Sequence, residues 1–192
     1  YAAWNRGWRL AQGRYLTNAN ADDRHHPRCL EQLATALDAR QDCDLAYGQA
    51  YFSQKENEIF AENDRGFPFY TPAYFPPLTA LYFPFGPQPL WRRSLLERIG
   101  DFDASYKAAG DWDFAVRTAL ASRAVHVPEA MGLYLVHETA ITFRDDTMGK
   151  ENEQIKRVWR RPEHIETLYR QAGAPLETAR QPIELVAVAH PA

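Results

Sequence analysis

Apolar residues recur at helical and strand periods along most of the chain, and the two periods alternate. Ala3, Trp4, Trp8 and Ala11 lie close to helical spacing and predict a helix over Ala2–Gln12, stopped by Gly13. Tyr15–Ala19 reads as a short buried strand, with Asn20–Arg24 as the loop at its carboxyl end. Leu30, Leu33, Ala34 and Leu37 form an apolar stripe on a second helix, with Pro27 suited to its first turn. Asp44–Phe52 reads as a strand with Gly48 as a bulge, and Leu90–Ile99 as a short helix closed by Gly100. A helix over Asp111–Ser122 follows, with Val116, Ala119 and Leu120 inward. Two short strands, Val125–Pro128 and Leu133–Val136, come next, then polar-faced helices over Met148–Trp159 and Pro162–Ala172. Residues Gln54–Gln88 break the pattern: six of the thirteen prolines and a dense set of Phe and Tyr fall there, which predicts a long, packed, functional loop.

Strands alternating with helices predict an α/β layer arrangement, a mostly parallel sheet flanked by helices. Ligands bind such sheets beyond the carboxyl ends of the strands, where Asn20–Asp23 sit. The pattern divides the chain into a main body over 1–145 and a helical tail extension over 146–192.

Composition narrows the class. At 192 residues the chain fits one domain with a sizeable core. Its net charge of −3 gives no basic surface for nucleic acid. No apolar run reaches the length of a membrane span. Cys29 and Cys43 lack metal-ligand spacing, and Cys29, on an apolar helix face, reads as a buried, reduced thiol. Together these features favour a cytoplasmic setting, at most peripheral to the inner face of a membrane. The opening Tyr1–Asn5 reads as the middle of a helix without a cap or initiating methionine, so an upstream segment is expected.

Two acidic clusters carry the candidate chemistry: Asn20-Ala21-Asp22-Asp23 at a strand end and Gly110-Asp111-Trp112-Asp113 at a helix start. Asp22 and Asp23 offer hard oxygen ligands suited to Mg2+ or Mn2+ shared with a diphosphate. Helix capping or an Asx-turn before Pro27 is the competing role for each. Asp111 suits a general base, since the helix dipole favours its ionised form, and equally suits an N-cap. Asp113 and Arg117, four apart, predict a supporting ion pair. His25 and His26 are adjacent and read as surface or capping residues, whereas His137 follows a strand and is the better ligand candidate. Trp91 and Trp112 suit either the core or stacking against sugar rings, and Tyr70, Tyr74 and Tyr82 could line an acceptor pocket.

The stretch Ala3-Trp4-Asn5-Arg6-Gly7, then Ala11-Gln12-Gly13-Arg14-Tyr15-Leu16 and Asn20-Ala21-Asp22-Asp23, resembles the front motif of family-2 glycosyltransferases. Gly100-Asp101-Phe102-Asp103 followed by Ala109-Gly110-Asp111-Trp112-Asp113-Phe114 and Arg117 resembles their second motif. The resemblance covers about Tyr1–Phe143. It implies a GT-A-type fold, here lacking its first strands, and sugar transfer from a nucleotide-diphosphate donor to an acceptor hydroxyl with inversion. It implies Asp22 and His137 as metal ligands, and Asn5, Asn20, Asp22 and Asp23 on the donor side. Asp111 would be the base, with Gly86, Trp91 and Trp112 on the acceptor side. The implied cofactor is a divalent metal, Mg2+ or Mn2+. The implied partners are the nucleotide-diphospho-sugar and a glycan, lipid-linked or protein acceptor. Departures from the motif are Trp4 for Arg, Asn20 for Asp, and Gly110 for an acidic residue. Two other classes fit the same carboxylates: a non-catalytic sugar-binding or interaction module derived from such an enzyme, and a metal-dependent phosphohydrolase.

Overall fold

A computed structural model describes residues 1–137, 140, 145–175 and 177. Helix α1 (Ala2–Leu10) leads into strand β1 (Tyr15–Thr17), then β2 (Arg24–His25) and helix α2 (Cys29–Ala39). Strand β3 (Leu45–Ser53) is followed by β4 (Pro68–Phe69), a 3-10 turn at Pro76–Ala80, and β5 (Leu90–Arg92). Helices α3 (Arg93–Ile99) and α4 (Gly110–Ala121), strand β6 (Ala124–Leu135), and helices α5 (Thr147–Trp159) and α6 (Pro162–Gln171) complete the order.

The sheet runs β1-β5-β3-β6-β2, with β4 on the later part of β3. It is mixed rather than mostly parallel. β3 and β6 pair in parallel, while β1–β5, β3–β5, β3–β4 and β2–β6 are antiparallel. The alternation of strands and helices suggested crossovers throughout. The short strands β2, β4 and β5 instead come from loops that return directly along a neighbour. β5 was expected as the first turn of a helix. Leu90–Arg92 instead fills the gap between β1 and β3, and the helix starts only at Arg93.

β6 is one strand where two were expected. Pro128 has no N–H for a ladder, so the pairing must skip it. The register accordingly jumps from Gly48↔Val127 to Gln49↔Ala130, and again to Ala50↔Gly132. The irregularity begins at the expected Gly48, but the extra residues belong to β6, which the bulge lets continue. A Cβ on Gly48 would lie 2.6 Å from the Val127 carbonyl oxygen and 2.9 Å from that of Glu129.

One face of the sheet packs on α2 through Cys29, Leu33 and Leu37, while Leu30 stays exposed. The other face holds the larger core, gathered around Phe102. The Phe102 ring stacks on Phe114 at 4.2 Å and on Tyr1 at 5.7 Å. It also meets Trp4, Trp8 and Trp91 at 5.4, 4.7 and 6.1 Å. The expected ion pair is present, with Arg117 Nε 2.8 Å from Asp113 Oδ2. Helices α5 and α6 pack on this body. Ile155 is buried against Trp112 and Val116, and Leu168 against Ala80 and Ala119. No helix among the described residues is long and apolar enough to cross a membrane.

Candidate active site

The end of β1 is strapped in place before any chemistry is considered. Thr17 Oγ1 donates to the Pro89 carbonyl (2.7 Å), and Asn18 Nδ2 to that of Pro87 (3.2 Å). The chain then turns through Asn20–Asp23. Asp23 is a brace. Its Oδ2 accepts from Asn20 Nδ2 at 2.7 Å and its Oδ1 from the Leu135 N–H at 3.1 Å. Burial pushes its carboxyl up from the ordinary value, against those two hydrogen bonds. Oδ1 thus ties the loop to the end of β6 while Oδ2 holds Asn20, and Asp23 does not cap α2. α2 begins six residues later, at Cys29.

That brace has a consequence close by on each strand end. With Asp23 fixed on Leu135, Asp22 and His137 meet, Oδ2 to Nε2 at 3.1 Å. Both are partly exposed, at 44% and 33% of their side chains. A carboxylate and an imidazole at this separation can face one divalent cation, whose other positions would fall to diphosphate oxygens and water. Among the described residues no group of three or more His, Cys, Asp or Glu gathers to hold a metal. The pair fits an ion that shares its coordination with a ligand.

Asp111 occupies the first turn of α4 and lines a cavity of about 500 Å3. Its Oδ1 accepts from the Trp112 N–H (2.9 Å) and from the Tyr1 hydroxyl (3.2 Å). Its own backbone N–H is a further donor to the carboxylate. Burial raises its carboxyl from 3.8 to about 6, despite the lowering effect of the bonds from Trp112, Tyr1 and its own backbone. Asn18 and Asn20 line the same cavity from the other motif, and Tyr82, Phe83 and Tyr134 add aromatic wall.

The remaining expected residues divide. Gly86 lines the cavity with φ +68°, a conformation that glycine adopts without strain, and a Cβ there would meet Thr71 at 2.9 Å. Trp91 and Trp112 also line it, but as buried walls exposed by only 1% and 5%. Trp112 is fixed by its Nε1 donating to the Thr79 carbonyl at 2.6 Å. Neither offers a free ring face for stacking, because both are absorbed by the core. Asn5 is buried in the core. Its Nδ2 donates to the Phe102 carbonyl (2.7 Å), and its Oδ1 accepts from the Phe102 N–H (3.0 Å) and from Trp8 Nε1 (3.1 Å). Its amide clamps α1 to the Gly100–Asp103 turn. Sequence reasoning missed Glu151, whose carboxylate grips the loop ahead of Asp111. It sits on a polar helix face with no local motif to mark it.

The chain matches the profile of Glycosyl transferase family 2 over residues 1–100, just over half its length. It belongs to that family. It is 26% identical over 160 residues to the uncharacterized glycosyltransferase YwdF of Bacillus subtilis (strain 168), covering 82% of this chain and 58% of YwdF. Two crystal structures of S. aureus TarS share the fold. TarS 1-349 gives a TM-score of 0.51 at 15% identity over 86% of this chain and 50% of its own. The other gives 0.53 at 14% identity, over 96% and 33%. The family-2 chain therefore spans about half the length of these relatives, or less. The mixed sheet with flanking helices is that of a GT-A-type glycosyltransferase. The matched segment holds the Asn20–Asp23 loop of this family-2 member and ends before Asp111, whose role rests on geometry.

Proposed function

We propose that this chain forms the metal-side and acceptor-side part of a glycosyltransferase that moves a sugar from a nucleotide-diphosphate donor to an acceptor hydroxyl, with inversion and with a divalent cation. The carrying observation is that Asn20 from the first motif and Asp111 from the second open onto one cavity. The acceptor hydroxyl would sit against the Asp111 carboxylate where it lines the cavity. With a pKa of about 6, that carboxyl is ionised at neutral pH and close enough to neutrality to take a proton efficiently. The acceptor oxygen attacks the anomeric carbon as its proton passes to Asp111, and the bond to the diphosphate breaks on the opposite face. Asn20, held by Asp23, presents an amide to the donor sugar or ribose. Asp22 and His137 would hold the cation, which when bound offsets charge on the departing diphosphate. The cavity's aromatic walls suit the acceptor side, whose glycan, lipid-linked or protein nature sets the linkage.

The test uses the full-length protein with a panel of nucleotide-sugars and Mn2+. Asp111→Asn should lower kcat about 10²–10⁴-fold while nucleoside diphosphate still binds in calorimetry. Asp22→Asn should weaken that binding in the presence of Mn2+, with little change in its absence. Near-normal turnover in Asp111→Asn would remove the base assignment. Release of inorganic phosphate without glycoside would replace transfer by hydrolysis.

A further inference from the structure

Helix α5 carries two adjacent stripes with different tasks. Met148, Asn152 and Lys156 follow at intervals of four and line the acceptor cavity. Glu151, Ile155 and Trp159, also four apart, stack on the neighbouring face, which packs on α4 and the loop before it. Trp159 Nε1 donates to Asp113 Oδ1 at 2.9 Å, and Ile155 fills the space beside Trp112 and Val116. At the other end, Glu151 accepts three successive backbone N–H groups. Oε1 takes Lys107 at 2.8 Å, while Oε2 takes Ala108 at 2.8 Å and Ala109 at 2.9 Å.

Consecutive amides converging on one point ahead of a helix make an anion cradle. Here the anion is a side chain of the same molecule, supplied from 42 to 44 positions away. The cradle ends at Ala109, and Asp111 stands two residues further on, in the first turn of α4. Charge-assisted hydrogen bonds are among the stronger ones in proteins, and three of them leave this loop little freedom. Asp111 Oδ1 is held locally by Tyr1 and Trp112, but the backbone beneath it is held from α5.

We propose that Glu151 is a positioning residue for the transfer reaction, fixing the 107–109 loop and hence the Asp111 carboxylate at the cavity wall. This rests on Asp111 being the base. The surroundings of Asp111 agree with it: burial raises its carboxyl, the Trp112 N–H, the Tyr1 hydroxyl and its own N–H lower it, and the Glu151 charge raises it to a lesser degree. Glu151 also supplies a negative charge from a distant helix, near the place where this chain has Gly110 instead of the acidic residue of the family's second motif.

The experiment compares Glu151→Gln and Glu151→Ala with the parent in the full-length protein. Glu151→Ala should lower kcat about 10–100-fold, the scale expected for a misplaced reacting group, with the donor KM within about twofold. Glu151→Gln, which keeps one acceptor oxygen, should fall between. The acid limb of the pH–rate profile should move to lower pH in both. A second readout needs no turnover: the pH midpoint at which Asp111→Asn begins to change thermal stability. Measured in the parent background and again in the Glu151→Gln background, that midpoint should drop once the Glu151 charge is gone. Unchanged kcat and an unchanged midpoint in Glu151→Ala overturn the proposal while leaving Asp111 as base. If Glu151→Ala does not fold, a folded Glu151→Gln with parental kcat and midpoint overturns it equally. Full turnover in Asp111→Asn defeats the base reading instead, and the midpoint still decides whether Glu151 acts on Asp111.

Discussion

Replacing Asp111 by Asn should make the protein more stable at pH 8 and no more stable at pH 4. The carboxyl titrates at about 6 in the fold against an ordinary value of 3.8. Its folded-state pKa is raised, so the folded chain binds more protons than the unfolded chain between those values. Stability therefore falls as pH rises through that window and levels off above it. Each pH unit of separation corresponds to about 1.4 kcal/mol, which sets a ceiling of about 3 kcal/mol for the ionised carboxylate. The side chain keeps some contact with the cavity, so about 2 kcal/mol is the working value. Asn retains an oxygen to accept from the Trp112 N–H and the Tyr1 hydroxyl, the two bonds that Oδ1 makes now. The substitution thus removes the charge and leaves the wiring. For a chain of this size the gain is about 4–8 °C in Tm at pH 8. Paired thermal melts of the two proteins from pH 4 to pH 8 check it. A difference that is constant across that range, or a loss of stability at pH 8, would refute the argument that burial holds this carboxyl high.

Asn5→Ala should cost about 2–4 kcal/mol in urea denaturation, because it strands the buried Phe102 N–H and carbonyl and the Trp8 Nε1 together. Nucleoside diphosphate affinity in the variant that remains folded should be unchanged, and a selective loss of that affinity would return Asn5 to the donor side. Gly48→Ala should cost about 1–3 kcal/mol, since its Cβ would press on two carbonyl oxygens of the β6 bulge and on Met131; a neutral effect in the same assay would mean the bulge yields.

The helices were legible because their apolar residues repeat at the right spacing: Leu33 and Leu37 on α2, Val116 and Ala119 on α4. The strands were less so. Leu90–Arg92 is three residues long and runs straight into α3, so no period separates strand from helix there. Pro128 read as a strand end because a ladder cannot use it, and only the partner's register shows that the strand steps around it. At the site, Asp22 with His137 and Asp111 with the cavity were within reach of motif reading. The jobs of Asn5, Asp23 and Glu151 were not, since each is decided by a backbone group far away in sequence: Phe102, Leu135 and the 107–109 loop. A carboxylate or amide looks the same in a sequence whether it faces a substrate or an orphaned N–H.

Phe102 sits in the turn that Asn5 clamps, and three of the chain's five tryptophans crowd its ring. Rings held at fixed angles in an asymmetric surround give the near-ultraviolet circular dichroism that is lost when side-chain packing loosens while helices persist. The junction of α1 with the Gly100–Asp103 turn and α4 therefore carries its own optical reporter. Its signal, dominated by Trp4, Trp8 and Trp91 around one phenyl ring, follows the seating of the first helix against the helix that bears Asp111, with no label attached.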